Sequence, residues 1–306
     1  MKRTLKLTGL SLLLAIAATA VVGAVRKPHW DAHYFDGYDS QLALNVEVQQ
    51  EEDRGDFLRT KLSFEGIAGE RVPTLLVRPK GNGPFPCVIF LHGIGQKKEF
   101  LDDICEPFLN AGYAMVTFDQ YTRGERRLKE SNWLNGAMAL RRRGALTVIE
   151  TRRLVDYLVN RPDIAADRLY LVGASYGAIT GSTAAAFEPR IRAVVLTYGG
   201  GDLRRLFASK EATKELGRWT GLVACLSAYV MAPGDPIQYI KGISPRPVLF
   251  QNGTHDSLIP TESAKALYEA AAEPKEIVWY DSDHIGLDWK HAVRVLNETI
   301  AWLNDH

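Results

Sequence analysis

Leu169-Tyr170-Leu171-Val172-Gly173-Ala174-Ser175-Tyr176-Gly177-Ala178 is the stretch on which the reading of this chain turns. An uninterrupted apolar run gives way to Gly-x-Ser-x-Gly, and the residues that follow, through position 187, are rich in alanine and glycine. The run has the pattern of a strand buried on both faces. The small-residue segment has the pattern of a helix lying close against it. A serine at such a strand-to-helix turn is held on strained backbone with its hydroxyl pointing out of the sheet. Gly173 and Gly177 fit that geometry, because a Cβ at either position would obstruct strand and helix where they cross. The helix start behind Ser175 also sets positive dipole near a developing oxyanion. The segment therefore reads as a nucleophile elbow, with Ser175 the nucleophile.

Working outward, the same kind of apolar run recurs at 87–91, 114–118, 193–196, 248–250 and 277–280. Helical spacing separates most of these runs, over 99–111, 144–160, 176–187, 261–272 and 288–304. This alternation predicts an α/β fold: a mostly parallel central sheet with helices on both faces. Ligands of such sheets bind beyond the carboxyl ends of the strands. Residues 57–64 alternate with period two, and 74–79 is the expected hairpin partner. We expect one domain over 57–306, with 26–56 as a lead-in packed on it. Two segments interrupt the alternation. Residues 120–143 carry Arg123, Arg126, Arg127 and Arg141-Arg142-Arg143, read as a solvated helix face, with an anionic-substrate or membrane-surface role as the alternative. Residues 202–245 are read as a helical cap over the active-site face, with a plain surface insertion as the alternative.

A serine hydroxyl needs a base at neutral pH. His284 lies just after the last predicted strand, which puts it in a loop on the same edge of the sheet as Ser175. The base needs a carboxylate to fix its tautomer. Asp256, after the run at 248–250, fills that place, with Asp202, Asp281 and Asp283 as alternatives. The chain order Ser175, Asp256, His284 is that of the α/β-hydrolase arrangement and not that of chymotrypsin or subtilisin. A tetrahedral intermediate needs two N–H donors. Tyr176, directly after the nucleophile, supplies one. The other comes from His92-Gly93-Ile94-Gly95, with Ile94 favoured over Gly93 and Gly95. His92 is expected to fix that turn through its side chain.

Composition narrows the alternatives. Thirty-seven basic residues face 36 acidic ones, a formal charge of +1, which leaves no electrostatic footprint for nucleic acid. Gly93-Ile94-Gly95 starts like a dinucleotide fingerprint, but Lys98 stands where the third glycine belongs. No set of His, Cys and Glu has zinc spacing, so neither metal nor cofactor is expected. Cys87, Cys105 and Cys225 are too few and too scattered for a disulfide scaffold, and are expected as buried thiols, with a single bridge in an oxidising compartment as the alternative. Lys2, Arg3 and Lys6 precede an uncharged run over 7–25 with small residues near its end. Residues 1–25 thus read as a signal peptide, or else as an uncleaved anchor tethering the protein to a membrane. Either reading exports the remainder, to the periplasm or beyond.

The ordered set Phe90-Leu91-His92-Gly93, Phe118-Asp119 with Arg123-Gly124, Gly173-Ala174-Ser175-Tyr176-Gly177, Pro247-Val248-Leu249 with Gly253 and Asp256, and Asp283-His284 resembles the α/β-hydrolase fold serine hydrolases. Within them it resembles the dienelactone hydrolase and acetyl xylan esterase-like branch. The resemblance implies that Asp119, Arg123 and Gly124 shape the loop beside the site. It departs from dienelactone hydrolases proper, which use a cysteine nucleophile where this chain has Ser175. The expected activity is cleavage of carboxylic esters, of a small molecule or a carbohydrate, through an acyl-enzyme. An amidase or peptidase using the same triad is the alternative, as is a silent binding protein on the same fold.

Overall fold

Nine strands, among the described residues, form one sheet in the order β1-β2-β3-β5-β4-β6-β7-β8-β9. They are β1 (Glu47–Asp53), β2 (Phe57–Glu65), β3 (Arg71–Pro79), β4 (Phe85–Leu91), β5 (Ala114–Phe118), β6 (Ile164–Ala174), β7 (Ile191–Thr197), β8 (Val248–Gly253) and β9 (Lys275–Tyr280). The computed structural model describes residues 26–27, 29–67, 69–128, 133–286 and 288–306. The described residues up to Asp36 belong to one compact unit and Gly37–His306 to another, which contains the whole sheet. The expected signal peptide or anchor, 1–25, falls outside the described residues. Among those described, no helix is long and apolar enough to cross a membrane.

From β5 through β9 every neighbouring pair is parallel, whereas β1, β2, β3 and β5 pair antiparallel. The parallel strands are buried on both faces, which is why they read as continuous apolar runs. Val88 and Phe90 of β4, Tyr170 and Val172 of β6, and Ala193 and Val195 of β7 point to one face. There they meet Ile104 and Phe108 of α1 (Leu101–Asn110) and Ile300 and Leu303 of α8 (Trp289–Asn304). The other face is covered by α2 (Trp133–Leu158) and α3 (Tyr176–Phe187). In α3 every residue from Gly177 to Ala185 is buried, so small side chains are needed all round it.

The sheet order decides where the site lies. β4 pairs with β5 on one side and with β6 on the other. The connections out of these strands therefore leave to opposite faces, and a crevice opens at their carboxyl ends. Leu91 of β4 stands opposite Gly173 of β6, so the turns after the two strands, His92 to Gly95 and Ser175, are neighbours.

The structure departs from the sequence reading in several places. The lead-in contains β1, whose residues are mostly exposed and polar and so lack the apolar alternation of a strand. The helix expected over 144–160 begins at Trp133. The arginine segment is not a solvated face throughout. Arg143 is 1% exposed, and Arg126 reaches the fully buried Glu150 at 2.8 Å. A guanidinium turns inward when buried acceptors require it, and composition does not reveal which one will. Residues 202–245 form α4 (Leu203–Leu206), α5 (Lys210–Leu216), α6 (Thr220–Met231) and short 3-10 turns. They pack on α3 and on α7 (Thr261–Ala270), and Glu211 N–H donates to the Ser257 carbonyl, but none of them is among the residues that line the cavity at Ser175. Cys87 and Cys105 are buried thiols, whereas Cys225 is exposed.

Candidate active site

Ser175 follows β6 with φ +56° and ψ −118°, a backbone that L-residues rarely adopt. The elbow is held by the Ser175 N–H donating to the Thr197 carbonyl at 2.8 Å, and by the Ser175 carbonyl accepting from Ala178 N–H at 2.9 Å. The flanking glycines are steric necessities. A Cβ on Gly173 would lie 2.4 Å from the Gly177 carbonyl oxygen, and one on Gly177 would lie 1.8 Å from that of Leu91.

The Ser175 Oγ lies 2.9 Å from His284 Nε2, and His284 Nδ1 lies 2.7 Å from Asp256 Oδ2. With Nδ1 donating to the carboxylate, Nε2 is left as acceptor for the serine hydroxyl. The second oxygen of Asp256 accepts the N–H groups of Leu258 and Ile259, each at 2.8 Å. The aspartate is thereby locked in place and its charge satisfied. Asp256 and His284 are both buried. Of the other acid candidates, Asp202 caps α4 and Asp281 pairs with His255. Asp283 accepts from Ser257 N–H at 2.8 Å, Ser257 Oγ–H at 2.9 Å and His284 N–H at 2.7 Å, and so ties the acid loop to the base loop. Burial raises its carboxyl, but these hydrogen bonds outweigh that and hold it below its ordinary value.

Behind the histidine stands a support that sequence reasoning missed. Tyr198 is fully buried, with φ +54°. Its hydroxyl lies 2.5 Å from Ser282 Oγ and 2.6 Å from His291 Nε2, and its ring packs edge-on to His284. Burial pushes this phenol up to about 12, so it stays protonated. Gly253 is required here, since a Cβ would lie 2.6 Å from the Ser282 carbonyl oxygen and 2.8 Å from the Tyr198 ring.

The turn after β4 is pinned on three sides. His92 Nδ1 donates to the Gly93 carbonyl at 2.9 Å, the role expected of it, and Gln120 donates to the His92 carbonyl at 3.0 Å. Gly93 N–H donates to Gln96 Oε1 at 2.9 Å and so is not available to a substrate. Arg143 donates to the Ile94 carbonyl at 3.1 Å, with its guanidinium 4.6 Å from the centre of the Tyr176 ring. Among the described residues the Ile94 N–H meets no acceptor. The Tyr176 N–H sits in the first turn of α3, where helices leave N–H groups unpaired. The Asp119 carboxylate accepts from Lys98 N–H at 2.9 Å, Glu125 N–H at 2.9 Å and Lys98 Nζ at 3.0 Å. A Cβ on Gly124 would lie 2.1 Å from that carboxylate. Gln96, Gln120, Arg143 and Tyr198 carry no motif, and the only sequence signal for any of them was the arginine run. Among the described residues no group of three His, Cys, Asp or Glu side chains is placed to hold a metal ion.

A strand–helix sheet of this order, with a serine elbow at its carboxyl edge, is the α/β-hydrolase fold. The chain belongs to the dienelactone hydrolase family, whose profile matches residues 72–285, and it is a hydrolase of that family. Esterase YjfP of Escherichia coli (strain K12) is 26% identical over 216 residues, covering 66% of this chain and 82% of that protein. The 2,6-dihydropseudooxynicotine hydrolase of Paenarthrobacter nicotinovorans is 27% identical over 259 residues, covering 79% of this chain and 66% of that one. Acetyl xylan esterase 1 from Thermoanaerobacterium sp. JW/SL YS485 superposes with a TM-score of 0.71 at 21% identity, covering 91% of this chain and 93% of its own, a likeness of fold.

Proposed function

We propose that the protein is an exported serine hydrolase of carboxylic esters. The observation that carries this is the unbroken hydrogen-bonded chain from Ser175 Oγ through His284 to Asp256. Ser175 attacks the acyl carbon while His284 Nε2 takes the hydroxyl proton, and Asp256 stabilises the imidazolium. Negative charge moves to the carbonyl oxygen, where the Ile94 and Tyr176 N–H groups receive it. The intermediate collapses to an acyl-enzyme as His284 gives its proton to the departing alcohol. Water then repeats the sequence, with His284 as base, and frees the acid. The esterase named among the relatives supports an ester over an amide. The basic residues ahead of the uncharged run at 7–25 support export.

The test is labelling by a fluorophosphonate together with hydrolysis of a matched ester and anilide. The wild type is expected to be labelled at Ser175 and to cleave the ester faster, with both losses in Ser175→Ala. Turnover persisting in that variant refutes the assignment. N-terminal sequencing of protein from a cell fractionation reports on export and cleavage.

A further inference from the structure

Resting on the ester-hydrolase reading, we propose that the acid half of the substrate is a medium-chain or arylalkyl group of about six to ten carbon atoms. It occupies an apolar cavity lined by Ser175 together with residues of α1 and α8, and the alcohol half leaves by the polar side of Ile94. The cavity holds about 300 Å³. Besides Ser175 and His284 its walls include Phe90 and Val172 of the sheet, Ile104 of α1, and Leu296 and Trp289 of α8. Apart from His284 it presents no ionisable side chain. The two threonines in its wall, Thr197 and Thr299, have their hydroxyls 3.0 Å from Gln251 Oε1, so both are already engaged. Such a surface gains by contact with hydrocarbon. An apolar cavity of about 150 Å³ accepts a benzene ring, so an acetyl group would leave most of this one unfilled and its walls without partner atoms.

Which half of the ester enters follows from what lies on the other side of Ile94, the residue common to the two cavities. The second cavity is wider, about 820 Å³, and is lined by Arg123, Arg127 and Arg143. Among the described residues none of these three guanidinium groups has a carboxylate within ion-pair distance. An ester whose carbonyl oxygen rests on the Ile94 N–H has one arm on each side. The acyl arm must stay bound to Ser175 while the alcohol departs and water comes in. The apolar walls suit the arm that stays. The wide polar side suits the alcohol and the entering water. Specificity for the acid therefore lies in α1, α8 and the histidine loop, and not in residues 202–245.

The experiment takes 4-nitrophenyl esters of straight-chain acids from acetate to dodecanoate with the full chain. The value of kcat/KM is expected to rise by about fourfold per methylene to an optimum between six and ten carbons. Ala292→Phe and Ile104→Trp each place a ring in the cavity, and the optimum is expected to move to four carbons or fewer. Alkyl fluorophosphonates give a second readout on the wild type alone, with a hexyl arm labelling Ser175 faster than a methyl arm. An optimum at acetate, equal labelling by the two arms, or a profile unmoved in both variants overturns the proposal. So does a length dependence that appears instead with acetates of lengthening alcohols. If no ester is cleaved and no probe labels Ser175, the hydrolase reading falls, and this inference with it.

Discussion

Gly177→Ala sets two effects against each other at the second residue of α3. Helix propensity alone favours the change by about 1 kcal/mol. Packing opposes it. The new methyl would lie 1.8 Å from the Leu91 carbonyl oxygen and 2.4 Å from its carbon, where ordinary contact begins near 3.4 Å. The obstruction is main chain and cannot rotate away, so α3 and the end of β4 must part by about 1.6 Å. Overpacking of this kind costs roughly 1–3 kcal/mol, and the moved segment carries the Ile94 and Tyr176 N–H groups. A misplacement near 1 Å costs about a hundredfold in rate, and loss of one oxyanion donor about a hundred- to a thousandfold. We therefore expect kcat to fall at least a hundredfold and the melting temperature to drop by several degrees, at roughly 2–4 °C per kcal/mol. Gly181→Ala is the control. Its methyl meets side-chain carbons alone, Leu171 at 2.8 Å and Leu91 at 3.4 Å, which can yield. Ester turnover and thermal melts of both variants are the assay. A Gly177→Ala protein as stable and as active as the wild type would refute the steric account of the elbow.

Asp256→Asn keeps an oxygen for the Leu258 and Ile259 N–H groups but loses the charge opposite His284. We expect a fall in kcat of about three to four orders of magnitude with little change in melting temperature, read from steady-state kinetics and a melt. Tyr198→Phe strips the hydroxyl that holds Ser282 and His291, at a cost of about 1–2 kcal/mol. It is expected to lower kcat about tenfold with KM nearly unchanged, and an unaltered kcat would show that the histidine loop does not need it. Burial raises the Asp163 carboxyl, but Arg161 and Arg78 outweigh this and hold it below its ordinary value. The folded state then binds fewer protons than the unfolded one, so this stabilisation is present above about pH 4 and is lost as pH falls through the lower folded value. Melts at pH 5 and pH 3 should differ less in Asp163→Asn than in the wild type.

The parallel strands and the serine turn were legible in the chain because each is a local pattern, as were the loops that carry Asp256 and His284, because each follows such a strand. An apolar run, a pair of glycines around a serine, or a polar loop after a strand is set by nearest neighbours along the sequence. β1 was not legible, because an edge strand with mostly exposed residues carries no apolar period. The inward turn of Arg126 and Arg143 was not legible either, since a charged side chain is buried only where distant acceptors such as Glu150 and Gln120 await it.

The sequence by itself determined that a sharp glycine-flanked serine turn lies between a buried strand and a small-residue helix, because only glycine lets the two backbones approach there. Only the tertiary structure decided that Gly93 is engaged by Gln96 while the Ile94 N–H is left open, that Tyr198 backs the histidine, and that α1 and α8 rather than residues 202–245 wall the cavity. The Gln96 contact spans only three residues and no pattern marks it, while the other two outcomes depend on segments distant in the chain coming together, which leaves no periodic trace along it.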